Sequence, residues 1–217
     1  MLLINKPKGP TSHDIVDEVR KITGIKKVGH AGTLDPFAEG LLIILVGRPE
    51  TKQQSTFIGM DKEYEATFIL GEERDTGDIT GEPVESQHTS VDNAVPVTEQ
   101  ELQAVLEKFT GEMEQIPSTY SAKKIKGKKA YELAREGKEV KLKPKKVTIY
   151  KLELLSYSWP EVKIRVKVSS GTYIRALARD IGRELKTGAY VSELKRTSIG
   201  EYSLEDARPL SSFRDWI

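Results

Sequence analysis

The stretch GHAGTLDPFAEGLLIILVG, Gly29–Gly47, decides how this chain folds. Its second half, Leu41–Val46, is an apolar run without a polar break, the pattern of a strand covered on both faces. Its first half is built from small and turn-forming residues, with Asp35 directly before Pro36. The proline disfavours helical geometry at the aspartate, and glycines at 29, 32 and 40 permit close backbone approach. A carboxylate on such a loop, next to a buried strand, is either a turn residue bonding its own backbone or a reagent. The loop taken alone leaves both readings open.

Outward from this stretch, the flanking segments alternate between strand and helix patterns. MLLINK reads as a short strand, followed by a turn at PKGP and a helix capped by Thr11 or Ser12. Ile15, Val16, Val19 and Ile22 fall on one face of that helix. KEYEATFIL alternates, placing Tyr64, Ala66, Phe68 and Leu70 together, and KIRVKVSS does the same with Ile164, Val166 and Val168. TEQELQAVLEKFTG is a capped amphipathic helix. GTYIRALARDIGRELKTG repeats apolar residues at Ile174, Leu177, Ala178, Ile181 and Leu185, with a glycine stop at Gly188. Its opposite stripe, Arg175, Arg179 and Arg183, gives no sign beyond solvation for the last two. The pattern predicts an α+β fold, a mixed, largely antiparallel sheet with flanking helices, in a single domain over residues 1–217.

Composition removes several function classes. The chain has no cysteine, which excludes a disulfide framework, a thiol nucleophile and thiolate metal ligation. His13, His30 and His88 lack the spacing of metal ligands, and the longest apolar run is far too short to span a bilayer. The expectation is a soluble, cytoplasmic protein with no membrane segment. Formal net charge is only +1, but the charge is segregated. Residues 121–151 carry twelve basic and three acidic side chains, residues 163–200 nine and three, and residues 61–114 three and fifteen. A fold that gathers the basic segments on one side presents a face for a polyanion; the plainer alternative is a set of solvated faces.

Five motifs, KPKGPTSHDIV, GHAGTLDPFAEGLLII, DKEYEA, IPSTYSAKKIKGKKAYELAREG and SSGTYIRALARDIG, occur in the order and spacing of bacterial TruB-type tRNA pseudouridine synthases. The chain resembles that family from about Leu2 to about Glu205. The resemblance implies the pseudouridine synthase fold and isomerisation of uridine 55 to pseudouridine in the T arm of tRNA. It implies Asp35 as the catalytic carboxylate, acting on the sugar or the base, with no metal and no organic cofactor. Tyr64 would pack against the extruded base, against the alternative of a plain core tyrosine; Tyr173 would line the same pocket. Arg175 would pair with the aspartate, against the alternative of a surface ion pair. His30 would take a positional part near the extruded nucleotide, against that of a buried, hydrogen-bonded histidine. Residues 121–151 would contact the RNA arm, with Lys123, Lys124, Lys126 and Lys128 on phosphates. Asp78 in DTGDITGE would brace the loop structurally. Longer family members add a small RNA-binding, PUA-type domain, and none is expected here after SSFRDWI. No obligatory protein partner is expected. The rival from another class is a catalytically silent tRNA-binding or RNA-chaperone protein.

Overall fold

The computed structural model describes residues 1–85, 96–117 and 142–216, and the backbone pairing of two short segments at 124–125 and 128–129. In chain order the elements are β1 (Leu2–Lys6), α1 (Ser12–Thr23), β2 (Val28–Ala31), β3 (Glu39–Val46), α2 (Arg48–Thr51), α3 (Gln54–Gly59) and β4 (Lys62–Leu70). Next come β5 (Glu73–Arg74), β6 (Pro83–Val84), α4 (Glu99–Lys108), β7 (Gly111–Gln115), β8 (Lys124–Ile125) and β9 (Lys128–Lys129). The rest are β10 (Lys145–Ser158), β11 (Glu161–Val168), α5 (Ile174–Glu184), β12 (Ala189–Ile199), β13 (Tyr202–Ser203) and β14 (Arg208–Pro209), with short 3₁₀ turns at Leu204–Asp206 and Leu210–Trp216. The chain divides into two compact units, Met1–Glu65 with the stretch from Glu193 onward, and Ala66–Ser192.

In the first unit β3 is the central strand. β1 runs antiparallel to it with Leu2 opposite Ile44 and Lys6 opposite Gly40, β2 is antiparallel with Val28 opposite Val46, and β12 is parallel with Arg196 opposite Gly40. The apolar run is covered on both faces, as its pattern predicts. Leu42 and Ile44 join Ile4, Ile15, Val16, Val19 and Phe213, while Leu41, Ile43 and Leu45 join Ala31, Phe57 and Ile199. Each such side chain removed from water contributes on the order of 2 kcal/mol, which fixes the register of β3 because a one-residue slip would exchange the two faces. Thr11, not Ser12, caps α1: its hydroxyl accepts from the Asp14 N–H at 3.1 Å and the Asp14 carboxylate returns to the Thr11 N–H at 2.7 Å. Ser12 is thereby turned inward.

In the second unit β7, β10, β11 and β4 lie side by side, β10 antiparallel to both neighbours. Val162, Ile164, Val166 and Val168 are all buried, and β4 buries Ala66, Phe68 and Leu70. α4, capped by Thr98 with Glu101, packs on β10 and against α5. One boundary differs from the sequence expectation: α5 stops at Glu184, and Lys186 takes the left-handed conformation at φ 58°. The chain folds back so closely that the Thr187 and Gly188 N–H groups both donate to the Gly182 carbonyl at 3.0 Å. A Cβ on Gly182 would lie 2.3 Å from the Gly188 carbonyl carbon, so glycine at 182 is what permits the approach. Gly188 follows this turn and does not cap the helix.

Candidate active site

Asp35 sits half-buried on the loop between β2 and β3, and the backbone of that loop is tied almost residue by residue. The Ala38 N–H donates to the Asp35 carbonyl at 3.1 Å, closing a turn with Pro36 in second position. The Ser12 hydroxyl accepts from the Leu34 N–H at 2.8 Å and donates to the Leu34 carbonyl at 3.0 Å, and the Gly9 N–H donates to the Pro36 carbonyl at 2.8 Å. Leu34, Phe37 and Ala38 anchor the loop by burial. The turn and the reagent readings of Asp35 are therefore compatible, since backbone closes the turn.

Two cations lie beneath this loop, and sequence reading singled out neither. Lys6 is fully buried and donates to the carbonyls of Ala38 at 2.7 Å, Pro7 at 2.8 Å and Pro36 at 3.5 Å. Burial pulls its ammonium from 10.5 down to about 8; Arg196 pushes the same way, while the negative charges of Asp35 and Glu39 oppose it. Arg196 is 1% exposed and points its guanidinium at the carbonyls of Leu41 (2.8 Å), Gly32 (3.0 Å) and Thr33 (3.5 Å). In "INKPKGP" and "ELKRTSIG" both look like ordinary solvated cations.

His30 ends on β2 with its carbonyl accepting from Gln54 Nε2 at 2.7 Å. Its imidazole is held below the usual histidine range, chiefly by burial and then by the charges of Arg196 and His13, so it is neutral at neutral pH. Its Nδ1 is buried with no hydrogen-bond partner among the described residues. Tyr64 on β4 is 8% exposed, as a member of the buried face of that strand.

Tyr173 and Arg175 belong to the second unit. Tyr173 is the N-cap of α5 and supplies no side-chain cap; instead buried Gln115 grips it, accepting from the Tyr173 N–H at 2.8 Å and donating to its carbonyl at 3.1 Å. Arg175 is 5% exposed. Within its unit it donates to the Thr76 carbonyl at 2.8 Å and to Asp78 Oδ2 at 3.1 Å. Asp78 Oδ1 accepts from Thr76 Oγ1, the Thr80 N–H and Thr80 Oγ1 at 3.0, 3.0 and 2.5 Å, so this buried carboxylate organises the 76–80 turn around the arginine. The other two arginines of the stripe are not simply solvated. Arg183 makes a two-pronged contact with buried Glu73, both bonds 3.0 Å, and Arg179 donates to the Ile116 carbonyl at 3.0 Å. The 3.6-residue period that puts the three arginines in line on one helix face was the signal available in sequence.

Lys123 and Lys126 lie outside the described residues, as does most of the 121–151 segment. Of Lys124 and Lys128 only the backbone is described, in the antiparallel pairing of β8 with β9. No group of three or more His, Cys, Asp or Glu side chains suited to a metal ion occurs among the described residues.

Comparison with known proteins identifies the fold as that of the pseudouridylate synthases. Residues 20–174 match the sequence profile described as TruB family pseudouridylate synthase (N terminal domain), and residues 175–217 that of the tRNA pseudouridylate synthase B C-terminal domain. The chain belongs to the TruB family. It is 48% identical to the tRNA pseudouridine synthase B of Caldanaerobacter subterraneus subsp. tengcongensis over 99% of this chain and 74% of that protein. Against the protein of the same name from Aquifex aeolicus the identity is 47%, over 98% and 72% of the two chains. Among solved structures it resembles a chain in the crystal structure of a Cbf5-Nop10-Gar1 complex, with 30% identity and a TM-score of 0.75. That match covers 99% of this chain but only 53% of the other.

Proposed function

We propose that this protein isomerises uridine to pseudouridine in tRNA, at position 55 of the T arm, with Asp35 as the catalytic carboxylate. The reaction breaks the bond from ribose C1′ to uracil N1, turns the base, joins C1′ to C5 and moves the C5 proton to N1. Atoms and electrons balance within the substrate, so the chemistry calls for a carboxylate, a pocket that retains the free base and a proton acceptor, and for no cofactor. The observation that carries the reading is the Asp35 loop of a TruB-family chain, its carbonyls tied by Ser12, Gly9, Lys6 and Arg196, which fixes the backbone that presents the carboxylate.

The other residues take roles suited to their chemistry. Tyr64 offers an aromatic face for the extruded uracil, and Tyr173 lines the base pocket. His30, neutral, can stack or donate without adding charge beside the carboxylate. Arg175, held by Asp78, keeps a guanidinium in one place to favour an ionised carboxylate. The lysines of the 121–151 segment would position the RNA arm through its phosphates. No described helix is long and apolar enough to cross a membrane, and a tRNA substrate is in keeping with the cytoplasmic location proposed here.

The test is incubation of unmodified tRNA with the wild-type protein and with Asp35→Asn, followed by mapping of pseudouridine at every uridine. The expected result is modification at position 55 by the wild type alone, with tRNA affinity of the variant within a few-fold. tRNA binding without any pseudouridine from the wild type would return the RNA-chaperone reading, and turnover by Asp35→Asn would remove Asp35 from the chemistry.

A further inference from the structure

We infer that Arg196 is a positioning residue for Asp35, acting through the backbone of the loop that carries it; this rests on the reading of Asp35 as the catalytic carboxylate. The guanidinium reaches the loop on both sides of the aspartate. Before it, Gly32 and Thr33 present their carbonyls at 3.0 and 3.5 Å; after it, Leu41 presents its own at 2.8 Å. One rigid planar group thus ties the start of the loop to the strand that follows it, and its fixed fork sets the distance between them. Its own backbone is locked to the same place, since β12 is registered on β3 with Arg196 opposite Gly40. The contact is so close that a Cβ on Gly40 would stand 2.4 Å from the Arg196 carbonyl oxygen.

Stability alone does not explain an arginine here. No carboxylate hydrogen-bonds to this guanidinium among the described bonds; its partners are carbonyls, and burying a cation at 1% exposure carries a large desolvation cost that a well-packed apolar residue would avoid. Lys6, on β1 across β3 from β12, adds a second buried cation, with the Pro36 and Ala38 carbonyls among its acceptors. Two buried cations gripping the carbonyls around one loop are an expensive way to fold a turn and a direct way to fix the backbone that carries a carboxylate within the few tenths of an ångström that near-attack geometry requires.

The experiment compares wild type, Arg196→Lys and a control core truncation, Val19→Ala, in single-turnover and steady-state pseudouridine formation on unmodified tRNA. All are assayed well below their melting temperatures, with folding checked by circular dichroism. Lysine keeps the charge but reaches at most part of the three-carbonyl set. Arg196→Lys should lose about tenfold or more in kcat, with tRNA Kd within about threefold. Val19→Ala packs in the same unit but touches no loop carbonyl, and should keep kcat within about twofold despite its loss of stability. Should Arg196→Lys fail to fold, Gly32→Ala replaces it: Gly32 sits at φ 89°, a conformation a side chain disfavours, so alanine strains the backbone whose carbonyl Arg196 holds, with the same split expected. Wild-type kcat in the Arg196→Lys or Gly32→Ala protein, or an equal loss in Val19→Ala, overturns the inference. Asp35→Asn run in parallel separates the two ideas. Activity there defeats the Asp35 reading itself, whereas an inactive Asp35→Asn beside a fully active Arg196→Lys defeats only the positioning role.

Discussion

Replacing Lys6 by methionine isolates what it costs to bury a charge under the Asp35 loop. Lys6 is inaccessible to solvent, and burial brings its ammonium to about 8 from 10.5. Between those two values the unfolded chain binds more protons than the folded one, so folding becomes more favourable as pH rises. At pH 7 both states are mostly protonated and the whole penalty stands, about 3 kcal/mol for a gap of this size. By pH 9.5 the folded group is neutral and the penalty falls to roughly half, a gain of about 2 kcal/mol. Methionine has no such dependence, and every other titrating group is common to the two proteins. Methionine also leaves the Pro7 and Ala38 carbonyls without their donor, a cost that opposes the electrostatic relief at pH 7. The slope is therefore the diagnostic quantity. Urea unfolding of both proteins at several pH values from about 7 to 9.5 should show the wild type gaining about 2 kcal/mol on the variant. A difference that stays flat with pH would mean that Lys6 titrates like a solvated lysine, and the reasoning about its burial would be wrong.

Gly40→Ala should destabilise by about 3 kcal/mol or more, because the new Cβ meets backbone atoms of Arg196 at 2.4 and 2.8 Å and the site sits at φ 107°; chemical denaturation measures it, and a cost below about 1 kcal/mol would contradict the close strand contact. Arg183→Ala should cost about 2 kcal/mol by leaving the buried Glu73 carboxylate without its two-pronged partner, and the double variant Arg183→Ala, Glu73→Gln should recover part of that; equal stabilities of single and double variants would show the pair to be uncoupled. Tyr64→Phe keeps the aromatic face and should slow turnover more than it weakens tRNA binding, with equal losses in both marking a folding role only. Neutralising Lys123, Lys124, Lys126 and Lys128 together should weaken tRNA binding and flatten the salt dependence, each phosphate contact being worth roughly 0.7 to 0.9 in the slope of log affinity against log salt. An unchanged slope would make that segment a solvated surface.

What could be read from the sequence was whatever is written in local periodicity or in short motifs. The unbroken run Leu41–Val46 reads as a strand buried on both sides, and its two faces do pack into separate clusters. The spacing of Ile15, Val16 and Val19, the alternation in β4 and β11, and the capping boxes at Thr11 and Thr98 all encode contacts within a few residues, so they were legible. Asp35 could be singled out only through the resemblance of five separated motifs to the TruB family. The end of α5 was not, because it depends on Gly182 receiving the chain five and six residues on, a packing event and not a stop signal. Asp78 as the partner of Arg175, and Gln115 as the clamp on Tyr173, join residues 97 and 58 positions apart. Lys6 and Arg196 are the clearest case. Each stands in a polar stretch where a cation reads as solvated, and only the arrival of backbone carbonyls 32 positions away from one and 155 and 164 positions away from the other turns them inward. Sequence pattern reports which side chains avoid water; which buried cation finds a carbonyl is set by long-range strand register, because a hydrogen bond has no period along the chain.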